Sequence, residues 1–205
     1  MPMIDLAFQI VGTTIPLDHG YRLFSALSRV LPQLHGDTRV GVHPIQGLRV
    51  APGLLSLTAH SWLKLRLPSE EIAPYIALAA TELDLDGHTL RVGIPRVEGL
   101  VPAAKVGSRL VTFRGALDLP RFEVHIRDEL SRLEIAAEPS FIPSEHPRWA
   151  GQPKRRVVQI KDKRIVGYAL RVVGLTAEES IRLQETGLGG RRRMGCGIFL
   201  PVGSL

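Results

Sequence analysis

The pattern of apolar and polar positions changes period several times along the chain. Residues 3–12, MIDLAFQIVG, form an apolar run bounded by Gly12 and read as a buried strand. Leu23, Leu27, Val30, Leu31 and Leu34 then recur at helical spacing. They predict a helix that starts after Asp18 and ends near His35–Gly36. Asp18 or Thr14 is placed to cap it, and Pro32 weakens its last turn because proline has no amide hydrogen to donate. Residues 39–50 read as a strand leading into a turn. Residues 54–68 alternate through Leu55, Leu57, Ala59, Leu63, Leu65 and Leu67, a strand with a break near His60–Ser61. Ser69 followed by Glu70 and Glu71 signals a helix over 68–83. Asp86–Gly87 marks a turn into a strand at 88–97.

Strand, helix, strand, strand, helix, strand is the split βαβ order of a ferredoxin-like unit. A similar order follows. Residues 98–114 hold extended segments, 119–135 are helical, 137–144 form a short edge strand, and 145–156 make a Pro/Gly-interrupted basic loop. Two alternating runs over 156–174 turn at Lys161–Asp162–Lys163. Thr176 and Glu179 form a capping box for a helix over 175–187 that stops at Gly187. Residues 196–202 are the last strand. The expected class is α+β, with two tandem ferredoxin-like (βαββαβ, RRM-like) units at 1–97 and 98–205. The repeat is one of element order, not of residue identity.

Charge adds a partner to this picture. Lys and Arg number 26 against 20 Asp and Glu, a formal net charge of +6. That balance favours polyanions, nucleic acid first. At 44% hydrophobic the chain can bury a core. The single cysteine, Cys196, excludes an internal disulfide and fits a reducing compartment; between two glycines it reads as a small filler. No Cys/His spacing suits zinc, and no apolar run approaches the length of a membrane span. The stretch MPMIDLAFQIVG lacks the basic region and cleavage site of a signal peptide. The expectation is a cytoplasmic protein with no cofactor, no metal and no membrane partner.

The densest chemistry lies at 187–197, where five glycines and three arginines connect a helix to a strand. Glycine admits positive φ and close approach of backbone to a ligand. Successive N–H groups make an anion nest, and guanidinium forks match phosphate oxygens. The loop does not fit the ATP-type P-loop or the dinucleotide fingerprint. Gly187, Gly189, Gly190, Arg191, Arg192, Arg193 and Gly195 are therefore expected to cradle a phosphodiester backbone; the plain alternative is a connector with solvated arginines. Lys154, Arg155 and Arg156 follow a loop bearing Trp149 and are a second expected RNA contact. Lys161, Lys163 and Arg164 crown the hairpin, where most charge runs are simply solvated. Trp149 suits stacking on a splayed base, whereas Tyr168 reads as core.

The pattern Gly187, Gly189, Arg191 to Arg193, Gly195, Gly197, Phe199 and Pro201, closing a second ferredoxin-like unit, resembles the C-terminal signature of the CRISPR-associated repeat-RNA (pre-crRNA) processing endoribonucleases. These are the sixth Cas family of the RAMP superfamily. The stretch IVGYALRVVGLTAEESIRLQETGLGGRRRMGCGIFLP resembles the family's tail, and HGYRLFSALSRVLPQLHGDTRVGVHPIQG is similar to its compact MYXAN-type branch.

The resemblance implies metal-independent cleavage of repeat RNA by the adjacent 2′-hydroxyl, leaving a 2′,3′-cyclic phosphate and a 5′-hydroxyl. It also implies a catalytic histidine on or just after the first helix. Of seven histidines, that leaves His19, His35 and His43. One branch carries the histidine within the helix, at a position that holds Ser28 here. His19 reads as structural at the helix start. His35 and His43 remain as alternatives, and each also suits a plain role, at a helix end or in a turn before Pro44. Arg191, Arg192 and Lys105 are unranked candidates for the second proton transfer. The partners implied are the CRISPR repeat RNA stem-loop, retained as product, and other subunits of a CRISPR effector complex, surveillance or transposon-targeting. The rival expectation is a non-catalytic RNA-binding subunit of such a complex.

Overall fold

A computed structural model describes residues 2–116 and 118–203 of the chain. The chain divides into two compact units, Met1–Gly99 with Arg193–Gly195, and Leu100–Arg192 with Cys196–Leu205. No described helix is long and apolar enough to cross a membrane.

The first unit runs β1 (Met3–Val11), β2 (Thr14–Pro16), α1 (Gly20–Val30), a 3-10 turn (Pro32–His35), β3 (Gly41–Val42), β4 (Leu48–Ala51), β5 (Leu54–Ser56), β6 (Trp62–Pro68), α2 (Ile72–Tyr75) between two more 3-10 turns, β7 (Glu82–Asp84) and β8 (Thr89–Gly99). Its main sheet is ordered β3-β6-β1-β8-β7, with every neighbouring pair antiparallel. Take β1, β3, β6 and β8 as the four strands of the motif. The fourth then lies beside the first and the second beside the third, which is the ferredoxin-like order. Alternation decides the faces. Leu6, Phe8 and Ile10 of β1 join Leu63, Leu65 and Leu67 of β6 in one core with Leu23, Phe24 and Leu27 of α1. Burying each such side chain contributes about 1.5–3 kcal/mol.

Three expectations for this unit change. The helix stops at Val30, because Leu31 precedes Pro32 and leaves the α region (φ −122°, ψ 78°). Its N-cap is His19, with no side-chain cap; Thr14 lies in β2 and bonds His88 instead. The helix expected over 68–83 is reduced to the four-residue α2, since Pro74 has no N–H to contribute. Residues 82–84 become an edge strand, joined to β8 through Asp86 and Gly87, both at positive φ (54° and 84°). A small sheet ordered β2-β5-β4 was not anticipated.

The second unit runs β9 (Lys105–Val111), α3 (Leu119–Arg132), β10 (Glu138–Phe141), β11 (Arg155–Ile160), β12 (Lys163–Val173), α4 (Ala177–Thr186) and β13 (Leu200–Pro201). Its sheet, β10-β12-β9-β13, repeats the same order. β10 pairs with the second half of β12 and β11 with the first half, so β11 and β12 turn back on each other as a hairpin. Phe122, Phe141 and Tyr168 pack ring to ring beneath the sheet, so Tyr168 is core. Asp118 caps α3 through Arg121 N–H, and the Thr176–Glu179 capping box opens α4. The last strand is shorter than expected: Gly197, at positive φ (67°), leaves the extended conformation, although its N–H still meets the Leu110 carbonyl in register with the pairing of β13.

Candidate active site and nucleic-acid interface

The three histidines near α1 have different surroundings. His19 is buried. Its Nε2 accepts from Ile45 N–H at 3.0 Å, so Nδ1 carries the hydrogen and donates to the Pro16 carbonyl at 3.0 Å. Both ring nitrogens thus tie the start of α1 to neighbouring loops.

His43 follows β3 and is also buried, with 4% of its surface exposed. Its Nε2 lies 3.1 Å from Asp5 Oδ1. Asp5 in turn receives both forks of Arg66, each at 2.8 Å, and Arg66 is fully enclosed. Alternation explains the trio: Asp5 and Arg66 sit opposite each other on β1 and β6, on the face turned away from α1. Burial holds the His43 imidazole neutral, below its ordinary pKa, against the pull of Asp5. Burial opposes ionisation of Asp5 too, but His43 and Arg66 together hold its carboxyl well below the usual carboxylate range. The Asp5–His43 contact is therefore a hydrogen bond donated by neutral His43, beside an Asp5–Arg66 ion pair.

His35 ends the 3-10 turn and is exposed. The turn is anchored by Leu34, which is fully buried. The imidazole stacks on the Phe24 ring at 5.8 Å between centroids. The helical spacing that places Phe24 in the core is readable in the sequence, but the ring contact depends on the turn.

Arg193, Met194 and Gly195 belong to this first unit. Arg193 Nη1 donates to the Leu34 carbonyl at 2.9 Å and to the carbonyl of His35. Its guanidinium carbon lies 5.5 Å from the Phe24 ring centroid.

The rest of the glycine-rich loop belongs to the second unit, where its parts hold one another. Gly189 N–H donates to Glu129 Oε2 at 2.6 Å, Gly190 N–H to the Thr112 carbonyl at 2.9 Å, and Gly197 N–H to the Leu110 carbonyl at 2.7 Å. Gly187 N–H closes α4 on Leu183. These donors are engaged by protein, so the nest expected for phosphate is not formed by them. A Cβ on Gly187 or Gly189, both at positive φ, would collide with the carbonyl of Gly197 or Thr112. The glycines at these two positions serve close approach of the loop to its own unit. Gly190 is exposed with open space around it. Arg191 Nη1 donates to Thr112 Oγ1 at 3.2 Å, and Arg192 Nη2 to the Glu185 carbonyl at 2.7 Å.

Lys154, Arg155 and Arg156 do not share one face. Arg155 is exposed opposite Tyr168, while Arg156 lies opposite Gly167 on the other side of the sheet. Arg156 Nε is buried without a hydrogen-bond partner. Burial and the nearby Arg109 cation push the Arg156 pKa down. Lys154 lies 4.0 Å from Glu145. Trp149 is about half exposed (47%), with Arg148 over its ring. The Ser28 hydroxyl is enclosed without a partner.

A family model described as Cas6 Crispr matches residues 4–204. The CRISPR-associated endonuclease Cas6 of Myxococcus xanthus (strain DK1622) is 40% identical over 203 residues, which cover 99% of this chain and 83% of that protein. A solved structure of a CRISPR associated protein Cas6 shares the fold with a TM-score of 0.63 at 15% identity, over 98% of this chain and 99% of that one. A structure of a Cas6-related gene from Pyrococcus furiosus gives 0.66 at 15% identity, over 96% and 97%.

Proposed function

The chain belongs to the Cas6 family, and from that premise we propose that it is an endoribonuclease cutting CRISPR repeat RNA into guide RNAs, with His35 moving the proton. One observation carries the choice of residue. Of the three histidines near α1, His35 alone is exposed; His19 and His43 are enclosed and committed to protein partners.

The reaction is an internal transfer. The 2′-oxygen bonds to phosphorus, the P–O5′ bond breaks, one proton leaves the 2′-hydroxyl and one reaches the 5′-oxygen. The products are a 2′,3′-cyclic phosphate and a 5′-hydroxyl, with nothing oxidised or reduced. The nucleophile is part of the substrate, so alignment, proton transfer and charge stabilisation suffice, and no metal is needed to activate a water. An imidazole can take up or release a proton near neutral pH. Cations stabilise the charge on the phosphorane oxygens. DNA, lacking the 2′-hydroxyl, is not cut.

RNA affinity in this reading comes from Arg155, Arg156, Lys154, Arg191 and Arg192, with exposed Gly190 beside them in sequence to Arg191. The support is the exposure of Arg155 and the unsatisfied Nε of Arg156. The cut repeat stem-loop stays bound, and the complex joins other subunits of a CRISPR effector. A second reading, a non-catalytic RNA-binding subunit, is favoured by Ser28 standing where one branch carries its histidine.

The test is cleavage in EDTA of the repeat RNA encoded beside the gene, against a copy with one 2′-deoxy nucleotide at the cut site. Cutting of the first copy alone is expected. Cutting of both, or loss of cutting in EDTA, overturns the mechanism. Tight binding without cutting of either copy, with or without EDTA, establishes the second reading.

A further inference from the structure

Resting on the reading of His35 as the proton carrier, we propose that Arg193 is a positioning residue, which holds the His35 turn in place and does not bind phosphate. By composition Arg193 is one of three equivalent loop arginines. The structure separates it from the other two. Its Nη1 is shared between the carbonyls of Leu34 and His35, and its plane is engaged over Phe24, the ring on which His35 stacks.

The turn needs such a brace. α1 ends at Val30 and Leu31 breaks the helical path, so Pro32–His35 does not inherit the rigidity of the helix. Its buried anchors are Leu31 and Leu34. Carbonyls at the end of a helical turn lack partners within the turn, and Arg193 supplies one to each of the last two. The segment carrying Arg193 is itself seated. The Met194 carbonyl packs so closely on Gly20, at the start of α1, that a Cβ there would collide with it. Gly195 passes Pro44, where a Cβ would sit 3.2 Å from the ring. The chain just after Arg193 is thus seated before the side chain reaches the turn. Holding a proton-transfer group in its productive geometry is a rate effect, and misplacement by about 1 Å can cost about a hundredfold.

The two roles for Arg193 give different kinetics. A phosphate ligand lost to alanine weakens binding and lowers the salt slope by about one. A positioning residue lost to alanine slows the cut within the bound complex. The experiment is single-turnover cleavage at saturating enzyme, with RNA affinity measured at several salt concentrations, on Arg193→Ala, Arg193→Lys, His35→Ala and the His35→Ala/Arg193→Ala double variant. We expect Arg193→Ala to cut about 10- to 100-fold more slowly, with affinity within about twofold and salt slope unchanged. Arg193→Lys, which keeps a cationic donor for the two carbonyls, regains most of the rate. The double variant is no slower than His35→Ala alone, because the two residues act through one group. If Arg193→Ala fails to fold, Phe24→Leu takes its place, with the same expected loss of rate at unchanged affinity. A normal rate in the bound complex for Arg193→Ala or its replacement, with His35→Ala inactive, overturns this proposal alone. A normal rate for His35→Ala overturns the assignment of His35, and this proposal with it.

Discussion

The turn that carries His35 and the trio that holds His43 are close in sequence and opposite in character. His35 has an exposed ring on a braced backbone. His43 has a sealed ring, bonded to a carboxylate that is itself paired with an enclosed guanidinium. Both are well ordered by their neighbours, so order alone does not mark the reactive residue. Accessibility does. A proton carrier must meet the 2′-hydroxyl or the leaving oxygen within hydrogen-bond reach. The His43 arrangement resembles a general base oriented by a carboxylate, yet its Nε2 faces inward to Asp5.

The largest expected effect tests this contrast directly. His35→Ala should lower the cleavage rate by about 10²–10⁴-fold, the range for a positioned acid or base. RNA affinity should hold within about twofold, and stability should change by about 0.5 kcal/mol or less, as for an exposed site. Single-turnover rates and a thermal melt on one preparation measure both. An unchanged rate would dissolve the contrast and return His43 or another group to consideration.

Next comes the trio's stability. Asp5→Ala leaves the Arg66 guanidinium enclosed without its carboxylate. Stranding a buried charge costs about 3–5 kcal/mol, and urea denaturation reads it as a lower midpoint. The molecules that remain folded should cut at close to the normal rate, since all three side chains are enclosed by protein. A loss under about 1 kcal/mol would mean the pair is hydrated and the site less closed than it stands here.

The trio is legible in the sequence as two charges set in apolar strands. Asp5 interrupts the apolar run MIDLAF and Arg66 interrupts LKLRLP. Opposite charges inside two apolar strands are a pairing signal, because neither is tolerated there alone. Most strands and both long second-unit helices follow from alternation and caps, and the doubled element order yields the two sheet orders. The loop's role was less legible. Glycines that admit a ligand and glycines that admit the protein's own backbone have the same composition. The difference lies in Thr112, Leu110 and Glu129, far away in the chain. Arg193 is likewise defined by carbonyls it meets only after folding. The separation of Arg155 from Arg156 could have been read from strand alternation alone.

The smallest effect is the subtlest test of the contrast, because it asks whether His43 titrates as a sealed group. Its folded pKa lies below the ordinary value of about 6.5 through burial, with Arg66 and Lys64 adding to that shift and Asp5 opposing it. Folding therefore favours the neutral ring. The stability it contributes is complete above about pH 6.5 and is lost as pH falls toward the folded pKa, with a slope of at most about 1.4 kcal/mol per pH unit. Asp5, held low in the folded state, keeps its contribution until pH falls below about 4. Between pH 6.5 and 5, then, the share due to the trio belongs to His43. His43→Gln removes the titrating ring while leaving an amide donor to Asp5. Its unfolding free energy should vary less steeply than the wild type over that window, with the cleavage rate at pH 7 within about threefold. Equal slopes in the two proteins would show that the ring is open enough to protonate in place, and His43 would then regain standing as a proton carrier.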